Sequence, residues 1–107
     1  MKQIPKTLMA IAALWLAADA QAAEPVPGED LARKNACTAC HSTEQKLVGP
    51  AFKEIAAKYK GQNGATAMLS EKVKKGSSGG WGQIPMPPNG QAPDEDIKAI
   101  VEWILAI

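Results

Sequence analysis

Cys37-Thr38-Ala39-Cys40-His41 sets two thiols around two small residues, with an imidazole directly after the second thiol. This is the spacing of a c-type haem attachment site. The thiols add to the two vinyl groups of the porphyrin and become thioethers. The adjacent imidazole then reaches the iron from one side, which makes His41 a candidate metal ligand.

Two other chemistries use a Cys-x-x-Cys pair. A closed zinc site takes four ligands, usually Cys and His. With two Cys and one His in the whole chain, it would need a carboxylate as well. A thiol–disulfide oxidoreductase needs a strand–turn–helix setting. The residues before Cys37, Gly28-Glu29-Asp30-Leu31-Ala32-Arg33-Lys34-Asn35-Ala36, read as a helix instead. The immediate histidine favours haem over both.

Working outward toward the N-terminus, Met1-Lys2-Gln3-Ile4-Pro5-Lys6 is a short positive region, followed by an apolar run from Leu8 to Ala18. That run is too short to span a bilayer. Ala20-Gln21-Ala22 fits a small-x-small cleavage site. A secretory leader over residues 1–22 is expected, leaving a single domain over residues 23–107. An uncleaved amphipathic or membrane anchor is the other reading of this segment.

Loss of the leader removes Lys2, Lys6 and Asp19, and the remaining acids and bases nearly cancel. No global field is present to gather nucleic acid. The bases are nevertheless clustered: Lys53, Lys58, Lys60, Lys72, Lys74 and Lys75. Such runs are usually a solvated face, with a docking patch as the alternative. A domain this small is marginal on its own core, and its two cysteines give no disulfide framework. A covalently held porphyrin would supply the missing apolar body.

Four segments carry helical periodicity and none signals a strand, so the fold class is all-α. The first runs over about Glu29–Ala36. The second begins near Pro50, with Phe52, Ile55, Ala56 and Tyr59 on one face and a stop at Gly61. The third begins near Ala65, with Met68, Leu69 and Val73 on its stripe, and ends at Gly76. The fourth begins at Pro93-Asp94-Glu95-Asp96 and buries Ile97, Ile100, Val101 and Ile104. Between the last two lies an irregular stretch, Gly76 to Ala92, rich in Gly and Pro. Structureless loops of this length in a compact domain are usually functional.

With one histidine in the chain, the position opposite His41 falls to Met, Lys, Tyr or an open site, and that loop holds the methionine that fits best. Met1 and Met9 leave with the leader, and Met68 sits on an apolar helical stripe where a core role fits better. Met86 lies in Ile84-Pro85-Met86-Pro87-Pro88-Asn89. Prolines on both sides bar a helix and stiffen an extended backbone. A thioether presented with little freedom left to lose suits ligation of iron, and Met/His ligation raises the reduction potential.

The chain resembles the small bacterial class I cytochromes c of the c-551 (c8) type. The matching pieces are Cys37–His41, then Lys46-Leu47-Val48-Gly49-Pro50, then Trp81-Gly82-Gln83-Ile84-Pro85-Met86-Pro87-Pro88-Asn89, then a terminal helix with Trp103. The resemblance covers essentially the whole domain. It implies about four helices wrapped around one haem c attached through Cys37 and Cys40. It also implies that the Pro50 carbonyl accepts Nδ1–H of His41, that the Trp81 indole and Lys72 serve haem propionates, and that the Asn89 side chain approaches the Met86 sulfur. By the same resemblance the protein is a soluble periplasmic one-electron carrier and not an enzyme. It would be a monomer that meets redox proteins such as a nitrite reductase, terminal oxidase, peroxidase or membrane cytochrome complex. The exposed haem edge would be rimmed by Val48, Ile84 and Pro85. The alternative function is a small-ligand-binding or peroxidase-like haem protein with a displaceable Met86. One departure is Ala36, which stands where the family commonly has glycine. A close helix crossing is expected there, with a methyl group that alters its packing.

Overall fold

The computed structural model describes Gln3 and residues 27–107. The expected leader and its cleavage after Ala22 lie outside the described residues, Gln3 apart. Four helices follow: α1 (Gly28–Lys34), α2 (Phe52–Tyr59), α3 (Ala65–Lys75) and α4 (Asp94–Leu105). A short 3-10 turn, Cys37–Ala39, sits between α1 and α2. Among the described residues no strand ladder forms. There are only two isolated antiparallel bridges, His41 with Lys46 and Ser77 with Met86.

Local chemistry places each helix. In α1, acids Glu29 and Asp30 open the first turn and bases Arg33 and Lys34 close the last, each complementing the helix dipole. Arg33 also bonds Glu29 at 2.9 Å and Asp30 at 3.0 Å. The helix stops short of the expected Ala36. The Asn35 backbone N–H donates to the Leu31 carbonyl at 3.0 Å, and its side-chain Nδ2 donates to the same carbonyl at 2.9 Å. The chain then turns left-handed at Ala36, with φ of 65°. In α2, the first amides are satisfied from a distance: Phe52 N–H donates to the Ser42 carbonyl at 2.8 Å and Lys53 N–H to that of Thr43 at 3.1 Å. The segment after the haem motif thus serves as the N-terminal cap of α2.

Helix α4 is the spine, packing against α1, α2 and α3. Its stripe divides between two apolar clusters. Ile97 and Val101 join Tyr59, Ala65, Leu69 and Ala92. Ile100 and Ile104 join Leu31, Ala32 and Phe52. Met68 packs against the first cluster, in keeping with a core role.

The close crossing of α1 and α4 is at Gly28, not at Ala36. A Cβ at Gly28 would overlap the Trp103 side chain and stand 3.1 Å from the Ala99 carbonyl oxygen. Ala36 is exposed and lies on the wall of a cavity. The preference for glycine at that position therefore comes from its left-handed backbone. The Gly76–Ala92 loop is also less irregular than expected. Ser77 and Met86 exchange both backbone hydrogen bonds, at 3.0 and 2.8 Å, and Asn89 N–H donates to the Val73 carbonyl at 2.9 Å.

Candidate haem-binding site

The start of α2 and the 3-10 turn hold His41 from several sides. The imidazole is buried, and Nδ1 lies 2.7 Å from the Pro50 carbonyl oxygen. A carbonyl can only accept, so Nδ1 carries the proton and Nε2 keeps its lone pair. The Phe52 ring stacks on the imidazole, with centroids 5.3 Å apart and planes 22° apart. Phe52 is itself braced edge-on by Trp103 at 5.3 Å. On another side stands Gly49, where a Cβ would come within 2.5 Å of Cε1 of the ring. Neither Gly49 nor Phe52 was singled out as a site residue from the sequence. Both lie close to His41 in the chain, but only the fold shows that they touch its ring.

Met86 is half-buried and held at its backbone by the Ser77 bridge. Gly76 permits that approach: a Cβ there would lie 2.8 Å from the Met86 carbonyl oxygen. The Asn89 amide donates from Nδ2 to the Asn35 carbonyl at 3.0 Å, which leaves its second N–H for another acceptor. Asn35 in turn donates to Asp96 Oδ2 at 3.3 Å. One asparagine thus ties the end of α1, the start of α4 and the segment carrying Met86.

Cys37, Cys40, His41, Pro50, Met86 and Asn89 all line one cavity of about 530 Å³, and Lys72 and Trp81 line it too. Lys72 is half-buried, its Nζ 5.7 Å from the centre of the Tyr59 ring. Trp81 is 40 % exposed, and the Nζ of Lys58 sits 4.6 Å above its ring. Lys58 is a site neighbour that sequence spacing did not single out. Three of the clustered lysines are engaged by carboxylates. Lys53, Lys74 and Lys75 pair with Glu44, Asp94 and Glu71 at 3.8, 3.0 and 2.8 Å.

The donor set suits a covalent haem better than its rivals. Both thiols are free and half-buried at the cavity wall. Burial pushes the Cys37 thiol above its ordinary value, against a smaller downward pull from a backbone hydrogen bond. A thiol built for disulfide exchange is shifted the other way. Among the described residues, no group of three or more His, Cys, Asp or Glu gathers to hold a metal ion. The cavity is apolar over much of its wall, where Leu69, Val73, Ile100 and Val101 suit a porphyrin face.

A model of the family described as cytochrome c matches residues 25–107. The chain belongs to the cytochrome c family. Cytochrome c-552 of Nitrosomonas europaea is 53 % identical over 98 residues, covering 87 % of this chain and 95 % of that protein. Cytochrome c-551 of Allochromatium vinosum is 54 % identical over 77 residues, covering 72 % of this chain and 82 % of its own. The crystal structure of wild-type Nitrosomonas europaea cytochrome c552 superposes with a TM-score of 0.71 at 58 % identity, over 72 % of this chain and 95 % of that one. The all-α cytochrome c fold and one covalently attached c-type haem follow, and this cytochrome is a small electron carrier. Among the described residues, no helix is long and apolar enough to cross a membrane.

Proposed function

We propose that this cytochrome is a periplasmic one-electron carrier whose haem, attached through Cys37 and Cys40, is ligated by His41 and Met86. The carrying observation is that both side chains line the same cavity while the Pro50 carbonyl occupies Nδ1 of His41. Only Nε2 is then free to bind. When bound, the haem supplies a one-electron ferric–ferrous couple, with a potential that a thioether ligand raises.

The chain's own residues supply orientation and rigidity. Pro50, Phe52 and Gly49 fix the imidazole plane. Pro85, Pro87 and the Ser77 bridge fix the backbone from which the Met86 sulfur projects. His41 and Met86 would hold the iron from rigidly placed side chains, so little rearrangement would accompany gain or loss of an electron. Trp81 and Lys72 line the cavity and would receive the propionates, and the second N–H of Asn89 would be available to the Met86 sulfur. Val48 and Ile84, 52 % and 67 % exposed, supply an apolar rim suited to brief encounters with redox proteins such as a nitrite reductase, terminal oxidase, peroxidase or membrane cytochrome complex. The 1–22 leader supports export, with residues 23–107 acting as a monomer without enzymatic activity of their own.

The test is spectroscopic. The oxidised protein should show a methionine–iron charge-transfer band, and the reduced protein should not bind carbon monoxide at neutral pH. Absence of the band together with spontaneous carbon monoxide binding would favour a small-ligand or peroxidase-like haem protein instead.

A further inference from the structure

Ser78–Pro85 crosses the cavity edge, with Trp81, Ile84 and Pro85 among the lining residues. Gly79, Gly80 and Gly82 have open space where a Cβ would point, and Gly79 and Gly82 take φ of +79° and +115°. The Ser77–Met86 bridge pins the base of this segment, but no backbone–backbone bond reaches its interior among the described residues. Ile84 is 67 % exposed and Trp81 40 %. Trp81 lines the cavity, so its inward placement depends in part on what the protein itself offers this segment. A run of glycines loses more conformational freedom on ordering than any other composition.

One side chain crosses the gap. Lys58, at the end of α2, donates from Nζ to the Gly80 carbonyl at 3.3 Å. The same ammonium stands 4.6 Å from the centre of the Trp81 ring and 5.3 Å from that of Tyr59. Cation, carbonyl and two aromatic faces converge on one nitrogen. Tyr59 is buried in the core, so the contact links a glycine-rich segment to a packed apolar cluster. Among the described residues no carboxylate pairs with Lys58, unlike Lys53, Lys74 and Lys75.

We propose that Lys58 is a positioning residue: it clamps the Ser78–Pro85 segment against α2 and thereby sets the Trp81 indole at the cavity edge. This rests on the reading above that Trp81 serves the haem. Lys58 acts through Trp81 rather than on the cofactor. Its removal frees the segment, and the indole then samples orientations away from the cavity.

The experiment uses the intact holoprotein and its Lys58→Met and Lys58→Arg variants. Methionine keeps much of the apolar stem but loses charge and donor; arginine keeps both and can lie over an indole face. The readouts are the indole N–H resonance of Trp81, its solvent exchange rate, and the midpoint potential. In Lys58→Met the Trp81 indole resonance should move and exchange about tenfold faster, with that of Trp103 unchanged. The potential should shift, and Lys58→Arg should restore all three. An unchanged Trp81 resonance and exchange rate in Lys58→Met overturns the clamp, as does failure of arginine to restore them. Failure of the ligand reading is seen separately, in the wild-type oxidised spectrum, and a Trp81→Phe variant with unaltered potential would break the link to the haem while leaving the indole readout of the clamp intact.

Discussion

The Nδ1–H of His41 donates to the Pro50 carbonyl oxygen at 2.7 Å, and this one bond decides which ring nitrogen faces the cavity. Pro50 sits just before α2, whose first amides are tied to the Ser42 and Thr43 carbonyls. The imidazole, the acceptor and the helix start therefore move as one unit. A hydrogen bond of this kind also raises the basicity of the other nitrogen.

Gly49→Ala tests how tightly that unit is closed. The added carbon would stand 2.5 Å from Cε1 and 2.9 Å from Nδ1 of His41, so ring or backbone must shift. Overpacking of this sort costs about 1–3 kcal/mol. The thermal midpoint of the holoprotein should fall, and the His41 ring resonances should move. A midpoint equal to wild type would mean that the imidazole has room the structure does not give it.

Met86→Ala should leave the fold in place and open the sixth coordination position. The methionine backbone, not its side chain, makes the bridge to Ser77, so the segment keeps its 3.0 and 2.8 Å bonds. The potential should drop and the reduced variant should bind carbon monoxide. Retention of the wild-type potential would move the assignment to Met68 or a lysine.

The legible parts of this cytochrome are those written in neighbouring residues. Cys37, Cys40 and His41 declare their chemistry by spacing alone. Met86 stands out because prolines on both sides leave its backbone few options. The α4 stripe, Ile97, Ile100, Val101 and Ile104, is readable from period and is buried as expected. What was not legible depends on contacts between distant segments. Asn35 reads as one more helix residue, yet it bonds Asp96, 61 positions away, and receives Asn89, 54 positions away. Lys58 reads as one of a lysine run, yet its place over Trp81 follows from how a glycine-rich segment folds back. Ala36 reads as a helix-packing position, but its constraint is a left-handed backbone, and the close packing lies at Gly28.

The ion pair on α3 gives a pH signature. Glu71 and Lys75 lie one helical turn apart at 2.8 Å. The Lys75 hydrogen bond and charge hold the Glu71 carboxyl below its ordinary 4.5, and Glu71 holds the Lys75 ammonium above its ordinary 10.5. A depressed carboxyl stabilises above its unfolded value and loses that contribution as pH falls through the folded one. A raised ammonium stabilises below its unfolded value and loses it as pH rises through the folded one. The pair thus acts fully only between 4.5 and 10.5. Both groups are fully exposed, so the effect is small and screened by salt. Glu71→Gln should melt slightly below wild type at neutral pH and low ionic strength, and the two curves should converge in acid. A gap that persists after Glu71 is protonated would assign the loss to helix propensity rather than charge.

Ala36→Gly should stabilise this cytochrome. Ala36 has φ of 65°, the sole non-glycine residue with positive φ among the described residues. For an L-residue with a Cβ that conformation costs about 1–2 kcal/mol. Glycine removes this cost but adds freedom to the unfolded chain, worth about 0.4–1 kcal/mol in the opposite direction. Ala36 borders the cavity, so the contact its methyl group makes there is the packing that glycine would lose. Both backbone bonds at this residue, to Arg33 at 3.1 Å and from Ala39 at 3.2 Å, are available to glycine as well. The balance favours glycine by about 0.5–1 kcal/mol, a rise of a few degrees in the thermal midpoint of a domain this size. Denaturant unfolding should show a higher midpoint with an unchanged slope, which separates a native-state gain from a change in the unfolded ensemble. Ala36→Val should move the midpoint the other way, since a branched Cβ tolerates the left-handed region least. If glycine lowered the midpoint, the turn before Cys37 would have to be held by something other than its backbone, and the strain assigned to Ala36 would be absent.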